Sequence, residues 1–95
     1  MENVPYHRAV LADELQRRNA KNVRYSARAF ARSLSLHPST LCRIMQGKQA
    51  LSMRSCKRIL GSLALGPDER QAFVASLVTE LATRTFARTD QLGMR

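Results

Sequence analysis

The sequence predicts an all-α domain of five helices. Three observations lead there. Apolar residues recur at 3.6-type spacing along most of the chain. Helix start and stop signals cut that pattern into short segments. Four glycines and three prolines in 95 residues are too few for a turn-rich β fold. Hydrophobic residues make up 44% and aromatic ones 5%, with no Trp, so the chain supports one modest and mostly aliphatic core.

Each helix has its own reason. Val10, Leu11 and Leu15 mark the inward face of a first helix over about Tyr6–Asn19, with Asp13 and Glu14 on its polar side; Ala20 to Tyr25 is a basic connector. Ser26 is a good N-cap for a second helix, ARAFARSL, whose inward residues are Phe30, Ala31 and Leu34. Pro38 ends what precedes it, because it pushes His37 out of the α region. Pro38 is also suited to the first position of a third helix, over about 38–46, where its missing N–H has no intrahelical partner to lose. Leu41, Ile44 and Met45 give that helix its apolar stripe, and Gly47 can take the left-handed conformation that closes it. Ser52 caps a fourth helix with Cys56, Ile59, Leu60 and Leu63 inward. Gly66-Pro67-Asp68-Glu69 starts a fifth, with a proline at the first position and two acids at the positive helix end. That helix carries Phe73, Val74, Leu77, Val78 and Leu81 and should fade near Thr85, leaving one domain over residues 1–84 and a frayed tail over 85–95.

Charge then narrows the function. The net charge is +9, and its placement is uneven: of the seven acids, Glu2, Asp13 and Glu14 precede residue 15 and Asp68, Glu69, Glu80 and Asp90 follow residue 67. The window between them holds Arg17, Arg18, Lys21, Arg24, Arg28, Arg32, Arg43, Lys48, Arg54, Lys57 and Arg58. Solubility alone does not require acids to be excluded from such a stretch, so the expected partner is a polyanion. Cys42 and Cys56 lack metal-ligand spacing and are expected as reduced packing residues, with a disulfide the alternative; no metal or cofactor is expected. No apolar run approaches the ~18 residues of a membrane span, and MENVPYHRAV is no signal peptide, so a cytoplasmic, nucleoid-associated protein is expected.

Only Ser35, Leu36 and His37 separate the second and third helices, which forces them to pack tightly through Phe30, Ala31, Leu36, Leu41 and Ile44. That is helix-turn-helix geometry, in which the second member enters the major groove. Ser39, Thr40 and Arg43 share one face of it, away from Leu41, Ile44 and Met45. Hydroxyls bond several base edges, and an arginine fork matches guanine O6 and N7. Pro38 and the Thr40 methyl can meet a thymine methyl, while Arg28, Lys48, Arg54, Lys57 and Arg32 are placed to meet phosphates. His37 reads as a turn or cap residue and His7 as a surface one. The stripe Phe73, Val74, Leu77, Val78 and Leu81 either closes the core or forms a homodimer surface.

The run SARAFARSLSLHPSTLCRIMQGKQALS resembles the helix-turn-helix of the phage-repressor and Cro-like family of bacterial DNA-binding domains: a Ser26 cap, the Phe30-Ala31 pair, a turn centred on Ser35, a recognition helix, then Gly47-Lys48. Over about Tyr6 to Leu81 the chain is similar to the N-terminal domain of a bacterial family of transcriptional regulators that usually carry a larger C-terminal domain of unknown function. The resemblance implies a compact five-helix lambda-repressor-like fold. It implies base contacts from Pro38, Ser39, Thr40 and Arg43, and phosphate contacts from Ser26, Ala27, Arg28, Lys48 and Gln49. Ser35 stands where that family commonly has glycine, so it must accept an unfavourable backbone.

The expected function is sequence-specific binding of double-stranded DNA in transcriptional regulation. A nonspecific architectural protein using the same positive field is one alternative, and a protein-interaction module is another. An enzyme is not expected, because no cluster offers a nucleophile with a base, a metal set or a phosphate loop.

Overall fold

A computed structural model describes residues 4–93, with the backbone alone over 86–93; Met94 and Arg95, the end of the expected tail, lie outside the described residues, as do Met1 to Asn3. Five helices follow one another: α1 (Tyr6–Lys21), α2 (Ala27–Ser33), α3 (Pro38–Met45), α4 (Met53–Ser62) and α5 (Pro67–Gly93). No strand occurs among the described residues.

The helix starts follow the sequence signals. Ser26 Oγ accepts the Ala29 N–H at 3.2 Å, and Ser52 Oγ accepts the Ser55 N–H at 3.1 Å. Before α5, the Gly66 N–H donates to Glu69 Oε1 at 2.8 Å, so the expected acid at the helix start closes back on the chain. α2 and α3 end in the same backbone motif. In α2 the N–H of Leu36 reaches Ala31 O and that of Ser35 reaches Arg32 O; in α3 the N–H of Lys48 reaches Arg43 O and that of Gly47 reaches Ile44 O. This double closure needs a left-handed residue after the helix, supplied by Ser35 at φ 60° and Gly47 at φ 78°. The unfavourable backbone expected at Ser35 is therefore present.

α1 packs on α5, α2 on α3, α1 also on α3, and α4 on α5. The core between them is aliphatic apart from two rings: Leu11 of α1, Phe30 and Ala31 of α2, Leu41 and Ile44 of α3, Cys56, Ile59 and Leu60 of α4, and Phe73 and Leu77 of α5, with Leu34, Leu51 and Leu63 from the connections. Val10, Leu15 and Met45 are partly buried against it.

Three expectations need correction. α5 does not fade at Thr85 but stays helical through Gly93, because no proline or glycine interrupts the run before that glycine. Phe73 and Leu77 are fully buried, so they close the core and cannot form a dimer surface; Val74 and Leu81 are half-buried and only Val78, at 50%, is well exposed. His7 is not at the surface but fully buried between α1 and α5.

The reason for the last is a set of partners far away in sequence. The His7 backbone N–H donates to Ser76 Oγ at 3.2 Å, and its ring nitrogen Nδ1 lies 2.7 Å from the same oxygen. Nε2 is 3.0 Å from Glu80 Oε1, and the ring meets the Phe73 ring edge-on at 5.8 Å. Burial pulls the His7 pKa below its ordinary 6.5, against the opposing pull of the Glu80 carboxylate and with added repulsion from Arg8. Neutral His7 therefore donates from Nε2 to Glu80 and accepts the Ser76 hydroxyl proton at Nδ1.

Candidate nucleic-acid interface

The site is built on α3. Its buried residues, Leu41 and Ile44, turn to the core, so a stripe of Ser39, Cys42, Arg43 and Gln46 on the other side is exposed. Thr40 and Pro38 sit half-buried on its two shoulders. Of the four expected base readers, Ser39 and Arg43 thus stand outermost. Cys42 and Gln46 were missed, and Cys42 is not the packing residue expected. The signal for both was in the sequence: positions 39, 42, 43 and 46 have the i, i+3, i+4, i+7 spacing of one helix face.

Neighbouring side chains hold the stripe. His37 caps α3, its Nδ1 accepting the Ser39 N–H at 3.2 Å, and the Ser39 Oγ lies 2.8 Å from the same nitrogen. At the other end Arg43 Nε donates to Gln49 Oε1 at 2.8 Å, which holds the guanidinium of this exposed residue by one of its nitrogens. Gln49, expected against phosphate, is thus also the residue that orients Arg43.

The end of α3 is clamped from behind. Arg84 Nη2 donates to Gly47 O at 2.9 Å, and Arg8 lies so close to Gly47 that a Cβ there would meet Arg8 Nη1 at 3.0 Å. Both arginines converge on Glu80: Arg8 Nη2 at 2.6 Å and Arg84 Nη2 at 3.6 Å from Oε2. A larger residue at position 47 would therefore meet both backbone strain and a guanidinium already committed to a carboxylate.

The expected phosphate contacts divide. Arg28 and Arg32 of α2 line one groove together with Leu36, His37, Pro38 and Ser39, so the structure brings them to the start of α3. Ser26 uses its oxygen to cap α2 yet keeps its hydroxyl proton for an outside acceptor, and Ala27, at the first helical position, offers only its backbone N–H. Lys48 is exposed just past the end of α3. Arg54 and Lys57 are exposed on α4 and do not line that groove.

Ion pairing sorts the cations. Among the described residues, carboxylates pair Arg8 and Arg84 through Glu80, and Arg17 and Arg18 through Glu14. The other nine cations of the acid-free window form no ion pair there. Arg18 is further fixed by hydrogen bonds to Tyr25 Oη and Ser33 Oγ and lies over the Phe30 ring at 5.2 Å. Its work is to hold α1 to α2.

Cys42 and Cys56 are both free thiols; burial pushes the Cys56 thiol up, which leaves it inert. No group of three His, Cys, Asp or Glu residues able to hold a metal occurs among the described residues, and no helix is long and apolar enough to cross a membrane. No family model, curated protein or solved structure matches the chain.

Proposed function

We propose that this protein binds double-stranded DNA sequence-specifically, as a helix-turn-helix transcriptional regulator of the lambda-repressor-like kind, with α3 in the major groove. The observation that carries this reading is the outward stripe of α3, mostly polar, free of carboxylates, and bordered by cations that form no ion pair among the described residues. A surface kept only for solubility does not need Arg28, Arg32, Lys48, Arg54, Lys57 and Arg58 left without partners.

On this reading Ser39, Arg43 and the shoulder residues Pro38 and Thr40 meet base edges, and Ser26, Ala27, Arg28, Lys48, Gln49, Arg54 and Lys57 meet the backbone. With about four phosphates neutralised per subunit, log K falls against log salt with a slope of about −4. Selection from a random DNA pool, followed by competition against bulk DNA, tests it. Arg43→Ala should cost about 1–3 kcal/mol on the selected site and relax one base pair, while leaving bulk-DNA affinity nearly unchanged. Equal losses on selected and scrambled DNA would remove Arg43 from its role.

One helix in one groove binds weakly, so a second copy on a second half-site belongs to the reading. The surface for it is a shallow apolar groove lined by Met53, Val78, Leu81, Ala82 and Thr85, where Met53 is 40% exposed. Sedimentation at micromolar concentration, with and without DNA, checks it; a strict monomer in both ends the dimer. The spread of unpaired cations over α2, α3 and α4 also suits a nonspecific coating protein, for which the competition would give a specificity ratio near one.

A further inference from the structure

The stripe of α3 carries a hydrogen-bond polarity that the residue types alone do not give. A serine hydroxyl can donate or accept, so Ser39 by itself favours no base. His37 removes that freedom. Its Nδ1 takes the Ser39 backbone N–H at 3.2 Å, and a backbone N–H can only donate, so Nδ1 carries no proton. The Ser39 Oγ is 2.8 Å from the same nitrogen. With no proton on Nδ1, the hydrogen between them is the hydroxyl's own. Ser39 therefore points its proton at His37 and turns its lone pairs to solvent, where the residue is exposed.

One turn along, Arg43 is the opposite. Its Nε donates to Gln49, and the two terminal nitrogens of this exposed side chain are donors only. The stripe thus presents an acceptor at its tip and a donor fork about 6 Å further along the helix axis, close to two base steps.

We infer that His37 is a specificity-determining residue: by taking the Ser39 proton it makes Ser39 select a base with an exocyclic amino group in the major groove, adenine or cytosine, beside the guanine chosen by Arg43. Thymine and guanine offer Ser39 no amino donor there. His37 does this as a positioning residue, without touching the base itself. The inference rests on the major-groove reading of α3.

Random-pool selection on the whole chain and four variants tests it. The wild-type chain should enrich adenine or cytosine about tenfold over thymine and guanine at one position, the difference one hydrogen bond makes, and guanine at a second nearby. Ser39→Ala should flatten the first position only, and Arg43→Ala the second only. His37→Gly, a residue well tolerated at a helix N-cap, should also flatten the first position while keeping the guanine. His37→Asn returns an oxygen acceptor to the cap and should restore the preference. A role confined to helix stability would lower enrichment at both positions together. The inference is overturned if the Ser39-dependent position selects thymine or guanine, or if His37→Gly leaves adenine or cytosine enriched there. If no position is enriched by any chain, the sequence-specific reading falls, and this inference with it.

Discussion

The seam between α1 and α5 and the face formed by α2, α3 and α4 are held by different means. In the seam, one carboxylate gathers three partners: Glu80 is bonded by His7, Arg8 and, at longer range, Arg84. Arginine there is a structural residue, and its charge is used up inside the protein. On the other face no carboxylate is present, and order comes from the backbone and the aliphatic core: caps by Ser26, His37 and Ser52, and two matching closures after α2 and α3. Those helices use none of their own charged side chains to cap their ends, and the cations on them form no ion pair among the described residues. Left unpaired, such cations repel one another and cost stability. The clamp of Arg84 and Arg8 on Gly47 is where the seam supports the face.

The largest break in this contrast comes from the carboxylate. Glu80→Ala leaves His7, Arg8 and Arg84 without their shared partner in a site where the Glu80 side chain is only 12% exposed. A loss of about 3 kcal/mol is expected, lowering the melting temperature by roughly 15 °C for a domain of this size. A change under about 1 kcal/mol in urea unfolding, against the few kcal/mol that loss of a buried pair brings, would show that the seam is held by its apolar contacts alone.

A smaller effect follows from His7. Its folded pKa is lowered, so the unfolded chain takes up the proton first as pH falls. The stability this gives is complete above pH 6.5 and declines as pH drops from 6.5 toward the folded value. Melting between pH 7.5 and pH 5 should show this decline in the wild-type chain and a shallower one in His7→Gln. Parallel curves would mean that His7 does not titrate across the transition.

How much of this was legible in sequence follows the same division. The α2–α3–α4 face was legible because its signals are local: Ser26, Pro38, Gly47 and Ser52 act within one turn of themselves, and Leu41 and Ile44 share a face by spacing alone. Ser39 and Arg43 follow from the same periodicity, which also carries Cys42 and Gln46, although cysteine as a residue type reads as packing. The seam was not legible. His7 lies 69 residues from Ser76 and 73 from Glu80, and nothing near His7 says that a carboxylate and a hydroxyl wait for it on α5. The apolar stripe of α5 was seen correctly as apolar, but only the packing decides that Phe73 and Leu77 turn inward and Val78 does not.

Within the face, the two matching helix ends invite a finer test. Gly47 takes its positive φ without penalty, whereas Ser35 pays for the same conformation with a Cβ in the way. Ser35→Gly should gain about 0.5–1 kcal/mol, the relief of the left-handed backbone less the entropy glycine loses on folding. Chemical denaturation with an unchanged m-value would measure it. A loss of stability instead would mean that the Ser35 side chain contributes something beyond its backbone position.

The smallest effect on stability is expected where the contrast says charge is not structural. Arg28→Ala and Lys57→Ala remove exposed cations without an ion pair. Each should leave stability within about 0.5 kcal/mol of the wild-type chain. Any change should be a gain, because the variant relieves repulsion and breaks no ion pair found among the described residues. On DNA the same variants should reduce the steepness of the salt dependence by about one each. A seam substitution does the reverse, costing stability first and leaving the salt slope of the folded protein alone. Should Arg28→Ala and Lys57→Ala unfold the chain as Glu80→Ala does, or leave the slope untouched, the cations of α2 and α4 would belong to the fold and the division between the two regions would not hold.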